Sequence, residues 1–310
     1  MASGPVIDGI YYQAFGPDAN CTLEFCPVEV SVYGYLPNLA ANIVFIALYA
    51  LSAIVHIYLG IRWKTWFFMS CMIVGAINGI LGYVGRVILH NNPFDFFGFI
   101  IQIVCVTCGP VYYCAAIYVT LAAAIKFFGP ELSRFNPNLF IWVFIPFDIV
   151  CLILQASGGA LSTTSSGDSS LGVNLALAGL ALQVAVLVAF CAAFGDYLWR
   201  YFHSDVYRKR TQSGGGAMGA RVKLFFGFMA AAVLLILIRC GYRLAELREG
   251  YDGELVREEG LFIGLESVMV VLAVFCLCVA HPGFAGFARP MGEGEKGSES
   301  SANEFETERI

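Results

Sequence analysis

Seven long apolar runs, at roughly residues 36 to 59, 66 to 89, 97 to 125, 138 to 161, 172 to 199, 222 to 243 and 260 to 280, constrain this chain more than any other feature. Each is long enough to cross the ~30 Å hydrocarbon core of a bilayer as a helix. Only short connectors lie between them. The 310 residues are 58% hydrophobic and 13% charged, against roughly a quarter charged in an ordinary soluble domain. An all-α, polytopic membrane protein of seven transmembrane helices is therefore expected. Its parts are an N-terminal segment over 1–35, a seven-span domain over 36–283 and a polar, acidic, disordered tail over 284–310.

An odd number of spans places the termini on opposite sides. The first, third and fifth connectors carry Arg62 and Lys64, then Lys126 and Arg134, then Arg200, Arg208, Lys209, Arg210, Arg221 and Lys223. The N-terminal segment and the second and fourth connectors carry no lysine or arginine. Positive charge stays in the cytoplasm, so the N-terminus is expected outside and the C-terminus inside. Asn20-Cys21-Thr22 is an N-glycosylation acceptor pattern, and Cys21 and Cys26 can close a small disulfide loop. Both need the oxidising, luminal or extracellular side. Nine further cysteines lie in apolar runs, where they act as small hydrophobes.

Polar residues recur within the spans at helical spacing. Asn38, Asn42, Tyr49, Ser52 and His56 share a face of the first, and Gly75, Gly79, Gly82 and Arg86 a face of the second. Gln102, Gly109, Tyr113 and Thr120 do so in the third; Asp148 and Gln155 in the fourth, and Glu259 and Glu266 in the seventh, are seven residues apart. In IRCGYRLAELREG, Arg239, Arg243 and Glu246 fall on one stripe. Charges at membrane depth should face the bundle interior or a watery cavity. Glu266 is the expected mate of Arg239, because a short connector makes the last two helices neighbours. Asp148, Arg239, Arg243, Glu246, Glu266, Asn42, Gln102 and Arg86 form the candidate substrate-binding set. Each also has a structural reading: Arg86 and Arg243 as side chains snorkelling from span ends, Asn42 and Gln102 as interhelical hydrogen bonds, Asp148 and Glu266 as structural ion-pair members.

Several functions lack their required groups. The last span has no lysine for a retinal Schiff base. The third and seventh spans end in AAAIKFF and AHPGF, without the triplet and N-P-x-x-Y of the commonest G-protein-coupled receptors. Four scattered histidines offer no zinc-hydrolase ligand set, and neither a G-x-S-x-G elbow nor a phosphate loop is present. The glycine pattern in SGGGAMG follows no strand, so it reads as a loop. No enzyme activity, cofactor, metal or nucleic-acid partner is expected. The remaining classes are a carrier of lipids or amphiphilic small molecules, and a lipid or small-ligand sensor whose fifth connector and tail recruit a cytoplasmic partner.

The segments YGYLPNLAANIVF, GRVILHNNPF, GPVYYCAAIYV, FDIVCLILQASGGAL, IRCGYRLAELREGYDGEL and EGLFIGLESVMVVLAVFCLCVAHPG resemble the fungal lipid-translocating exporter, or resistance-to-aminocholesterol, family over about residues 33 to 283. The pattern R-x-x-Y-R-x-x-E, here Arg239, Tyr242, Arg243 and Glu246, followed by a glutamate and H-P-G, carries most of the likeness. The resemblance implies a plasma-membrane or internal-membrane protein that moves lipids, including sphingoid long-chain bases, and gives resistance to toxic amphiphiles. Porphyrin uptake has also been associated with members, so the substrate does not follow from the likeness.

Overall fold

A computed structural model describes residues 6–7, 10–164, 170–208, 215–250, 253–284 and 286. Lys209, Arg210, most of the fourth connector and nearly all of the acidic tail lie outside the described residues, as do Ser213 and Gly214 of SGGGAMG; residues 215–219 begin the sixth long helix, so the loop expected there is helical from Gly215 onward. Seven helices are long and apolar enough to cross a membrane. They are α1 (Leu39–Trp63), α2 (Trp66–Asn91), α3 (Phe96–Phe128), α4 (Pro137–Thr164), α5 (Ser170–His203), α6 (Gly215–Glu249) and α7 (Glu259–Val279). Val6–Ile7 and Ile10–Tyr11 add a two-residue antiparallel ladder.

Local chemistry starts and stops these helices. Asn38 Oδ1 accepts from the Ala41 N–H at 3.0 Å, and Asp95 Oδ1 from the Gly98 N–H at 2.6 Å, each satisfying an orphan donor of a first turn. Asn136 precedes Pro137 and accepts from the Asn138 N–H. That places proline where its missing donor costs nothing. Lys64 ends α1 in the left-handed region at φ 56°.

The helices run beyond the apolar windows, most of all α6, which ends its run at Arg243 and carries Glu246 past it. No hydrophobic force holds helices together in lipid, so close packing must do it. Glycines of α2 allow that with α3 and α1. Gly75 lies against the Tyr113 ring, a Cβ on Gly79 would come within 2.9 Å of Tyr49, and one on Gly85 within 2.8 Å of the Gly98 carbonyl. Gly158, Gly172 and Gly179 join α4 and α5 in the same manner.

Bulky apolar side chains such as Ile54, Tyr58, Trp142, Ile153 and Trp199 point outward, as a lipid-facing surface requires. Inside, Phe128, Phe140, Phe190, Phe194, Tyr197, Tyr201, Phe225 and Phe226 form an aromatic core. The N-terminal segment folds over the opposite end of the bundle. There Phe15 meets Phe96 and Phe99 edge-on at ring distances of 5.5 and 5.3 Å. A disulfide joins Cys21 to Cys26, and both pack near Phe94 and Ala14.

Candidate functional site

α7 is not a regular helix. Phe262–Val268 is π-helical, and Glu266 lies in this segment. A wider turn rotates less per residue, so the offset of seven that should align Glu259 with Glu266 on an α-helix sends them to different partners. Such bulges concentrate at functional sites.

Glu266 meets Arg239 of α6. Arg239 Nε donates to Glu266 Oε1 at 2.7 Å, Nη2 lies 2.5 Å from the same oxygen, and Nη2 also donates to the Val106 carbonyl of α3 at 3.1 Å. Both side chains are fully buried. Arg239 Nη1 and Glu266 Oε2 have no hydrogen-bond partner among the described residues. One turn along α6, Arg243 Nη1 donates to Glu246 Oε2 at 2.5 Å, while its Nε lies 3.9 Å from Glu266 Oε2. Two cations and two anions thus form one connected quartet.

A cavity of about 440 Å³ opens beside this quartet, a size typical of ligand sites. Arg239, Arg243 and Glu246 make its charged edge. Ile100, Ile103 and Val104 of α3, Leu152 and Ala156 of α4 and Leu180 of α5 are among its apolar lining. Pro17 and Tyr33 of the N-terminal segment close the end nearest that segment. Thus an apolar slot carries fixed charge along one edge.

The other candidate residues lie elsewhere. Arg86 Nη2 donates to Glu259 Oε1 and to the Tyr35 hydroxyl, each at 3.2 Å, and its guanidinium sits 4.1 Å over the Phe262 ring. It joins α2 to α7 instead of lining the cavity. Burial pushes the Tyr35 hydroxyl's pKa up, against the opposing pull of Arg86, so the phenol stays neutral. Gln102 packs against Gly85, and Asn42 is buried within the bundle on α1. Asp148 is buried beside the Tyr118 hydroxyl and the Cys114 thiol. Its stripe-mate Gln155 does reach the cavity and donates to Gln183 Oε1 at 3.0 Å. Asn20 is exposed, and its Oδ1 accepts from the Gln13 N–H at 2.7 Å.

Sequence reasoning missed Glu259 as the partner of Arg86, and all of the apolar cavity wall. The pairing had a signal in the acid at the start of the last span. The wall had none, because an apolar side chain facing a cavity has the same composition as one facing lipid. Among the described residues no three His, Cys, Asp or Glu side chains converge as metal ligands.

Seven spanning helices, of which α3 to α6 line a cavity with one charged edge and an apolar wall, define a multi-pass membrane protein. Residues 72–288 match the family model described as RTA1 like protein, and the chain belongs to that family. A sphingoid long-chain base transporter, RSB1, from Saccharomyces cerevisiae strain Lalvin EC1118 is 32% identical over 293 residues, covering 85% of this chain and 76% of the relative. The lipid-translocating exporter-like protein RTA1 of Leptosphaeria maculans is 27% identical over 83% of this chain and 52% of its own length. Protein RTM1 of Saccharomyces cerevisiae is 27% identical over 66% of this chain and 64% of its own length. No solved structure matches the chain.

Proposed function

We propose that the protein translocates or exports single-chain amphiphilic lipids, with sphingoid long-chain bases as the leading substrate class. The head group's ammonium is held at Glu246, on the edge where Arg239 and Arg243 balance the acids, and the hydrocarbon body lies along α3, α4 and α5. The observation that carries this reading is the single cavity wall on which fixed charge meets an apolar slot. Carrying a polar head across hydrocarbon unaided is costly, and a charged edge inside the bundle lowers that cost. The names of the relatives favour the same class.

In this reading the cavity opens toward the outside. Pro17, Tyr33, Gly250 and Val256 line it at the end that carries the N-terminal segment and the α6–α7 connector. The lysine and arginine distribution supports an outside position for that end, and the glycan-acceptor pattern at Asn20 and the Cys21–Cys26 disulfide, which needs an oxidising compartment, favour the same side. The plasma membrane and a role in resistance to toxic amphiphiles follow as parts of the same proposal. So do a ligand-facing role for Glu266 behind Arg239 and supporting, bundle-building roles for Arg86, Asn42, Gln102 and Asp148.

The test is transbilayer movement of a labelled long-chain base in liposomes containing the purified protein. Flux above that of empty vesicles, and well above flux of an N-acylated neutral analogue, is the expected result. Binding of the base without flux would replace transport by a sensor role.

A further inference from the structure

The carboxylate best placed to receive a ligand's ammonium is already paired with a side chain of the protein. Glu246 lines the cavity and accepts from Arg243. Arg243 in turn stands between two acids, with Nη1 on Glu246 and Nε 3.9 Å from Glu266 Oε2. That second oxygen is buried and has no hydrogen-bond partner among the described residues. A buried carboxylate oxygen without a donor is unusual, since such groups are costly to leave unpaired.

We propose that Arg243 is a resident counter-ion that occupies the ammonium seat on Glu246 and is displaced toward Glu266 Oε2 when a cationic head group binds. This deepens the transport reading and rests on it. A guanidinium and an alkylammonium are both donor-only cations, so they compete for one carboxylate. Neither acid is left bare in either state: without ligand Glu246 holds Arg243, and with ligand Glu246 holds the ammonium while Glu266 holds both arginines, so that the bound cluster carries one net positive charge. A carboxylate left bare at this depth would be strongly unfavourable, and the exchange avoids it. Arg239 keeps its place throughout, because Nε and Nη2 are tied to Glu266 Oε1 and the Val106 carbonyl. The exchange moves one side chain and no helix.

The groups facing Arg243 make the exchange local. Glu246 lies one turn away on α6, Glu266 comes from α7, and Arg239 repels Arg243 from the preceding turn. A neutral head group can offer Glu246 only amide or hydroxyl donors, and no charge to replace that of Arg243. The seat therefore selects for a cation through competition and not through cavity shape.

The experiment measures binding of a long-chain base and of its N-acylated neutral analogue to the purified protein in detergent, for wild type, Arg243→Gln and Arg243→Lys. Removing the competitor should raise affinity for the base about tenfold in Arg243→Gln, leaving affinity for the neutral analogue within about twofold. Arg243→Lys, which keeps a shorter competing cation, should fall between wild type and Arg243→Gln. Unchanged or weaker binding of the base by a folded Arg243→Gln protein would overturn the displacement and make Arg243 a ligand contact or a strut. If Arg243→Gln does not fold, Arg243→Lys decides alone: tighter binding of the base, with the neutral analogue unmoved, supports displacement, and weaker or unchanged binding overturns it. A wild type that binds no long-chain base overturns both this inference and the transport reading. Wild-type flux with no gain in Arg243→Gln overturns only this one.

Discussion

Arg239 Nε of α6 donates at 2.7 Å to Glu266 of α7, a carboxylate that a π-helical turn has swung away from Glu259. The same arginine lines the cavity, so the ion pair that joins two helices also backs the proposed head-group site. Breaking such a buried pair from one side leaves an uncompensated charge, typically at a cost of about 3–5 kcal/mol.

Arg239→Ala should therefore lose folded protein, not activity alone. Thermal unfolding in detergent should show a large fall in Tm. Arg239→Met combined with Glu266→Met should recover much of that loss, because no lone charge remains. A double variant no better than either single one would show that the pair is not the cause.

Close approach of α2 and α3 depends on Gly75, where an added methyl would run into the Tyr113 ring. Gly75→Ala should destabilise by about 1–3 kcal/mol through overpacking. Gly227 of α6 has open space around its Cβ direction, so Gly227→Ala should be neutral or slightly stabilising. Side-by-side thermal melts of the two alanine variants check this contrast.

His281, just beyond α7, should make stability depend on pH. Its Nδ1 accepts from the Gly283 N–H at 3.1 Å, so Nε2 carries the proton and faces Thr65 Oγ1 at 3.1 Å. Burial first, and neighbouring His56 second, lower its pKa to about 3. An unfolded histidine titrates near 6.5. Between these values the unfolded chain binds more protons, so stability falls as pH drops below about 6.5 and keeps falling toward 3. Melting curves from pH 7.5 to 5 should show a decline that is shallower in His281→Gln. Equal slopes would remove His281 as the source.

Which parts of this arrangement were legible beforehand follows from what periodicity can encode. The spacing of Gly75, Gly79, Gly82 and Arg86 marks the buried face of α2, because small residues at helical intervals permit contact. Arg239 and Glu266 were readable as a pair from their depth and the short connector. A seven-residue offset could not reveal that Glu259 and Glu266 diverge, since the π-helical turn has no compositional mark. Burial stripes also do not tell a cavity from a neighbouring helix. Asn42, Gln102 and Asp148 are all buried, as their spacing suggests, yet none lines the cavity.

Filling the slot should separate transport from folding. Ala156 of α4 faces the cavity, and its exchange for tryptophan adds bulk where there is space. Ala156→Trp should keep a wild-type melting temperature while lowering long-chain-base flux by about tenfold or more. Undiminished flux would place the lipid path elsewhere on the bundle.

The most direct test is the transbilayer flux of a labelled long-chain base in proteoliposomes, comparing wild type with Glu246→Gln of matched thermal stability. Losing a charge-assisted contact of about 1.5–3 kcal/mol predicts wild-type flux above empty vesicles and a fall of roughly tenfold or more in the variant. Equal flux in the two proteins, or wild-type flux no greater than that of empty vesicles, would contradict the account.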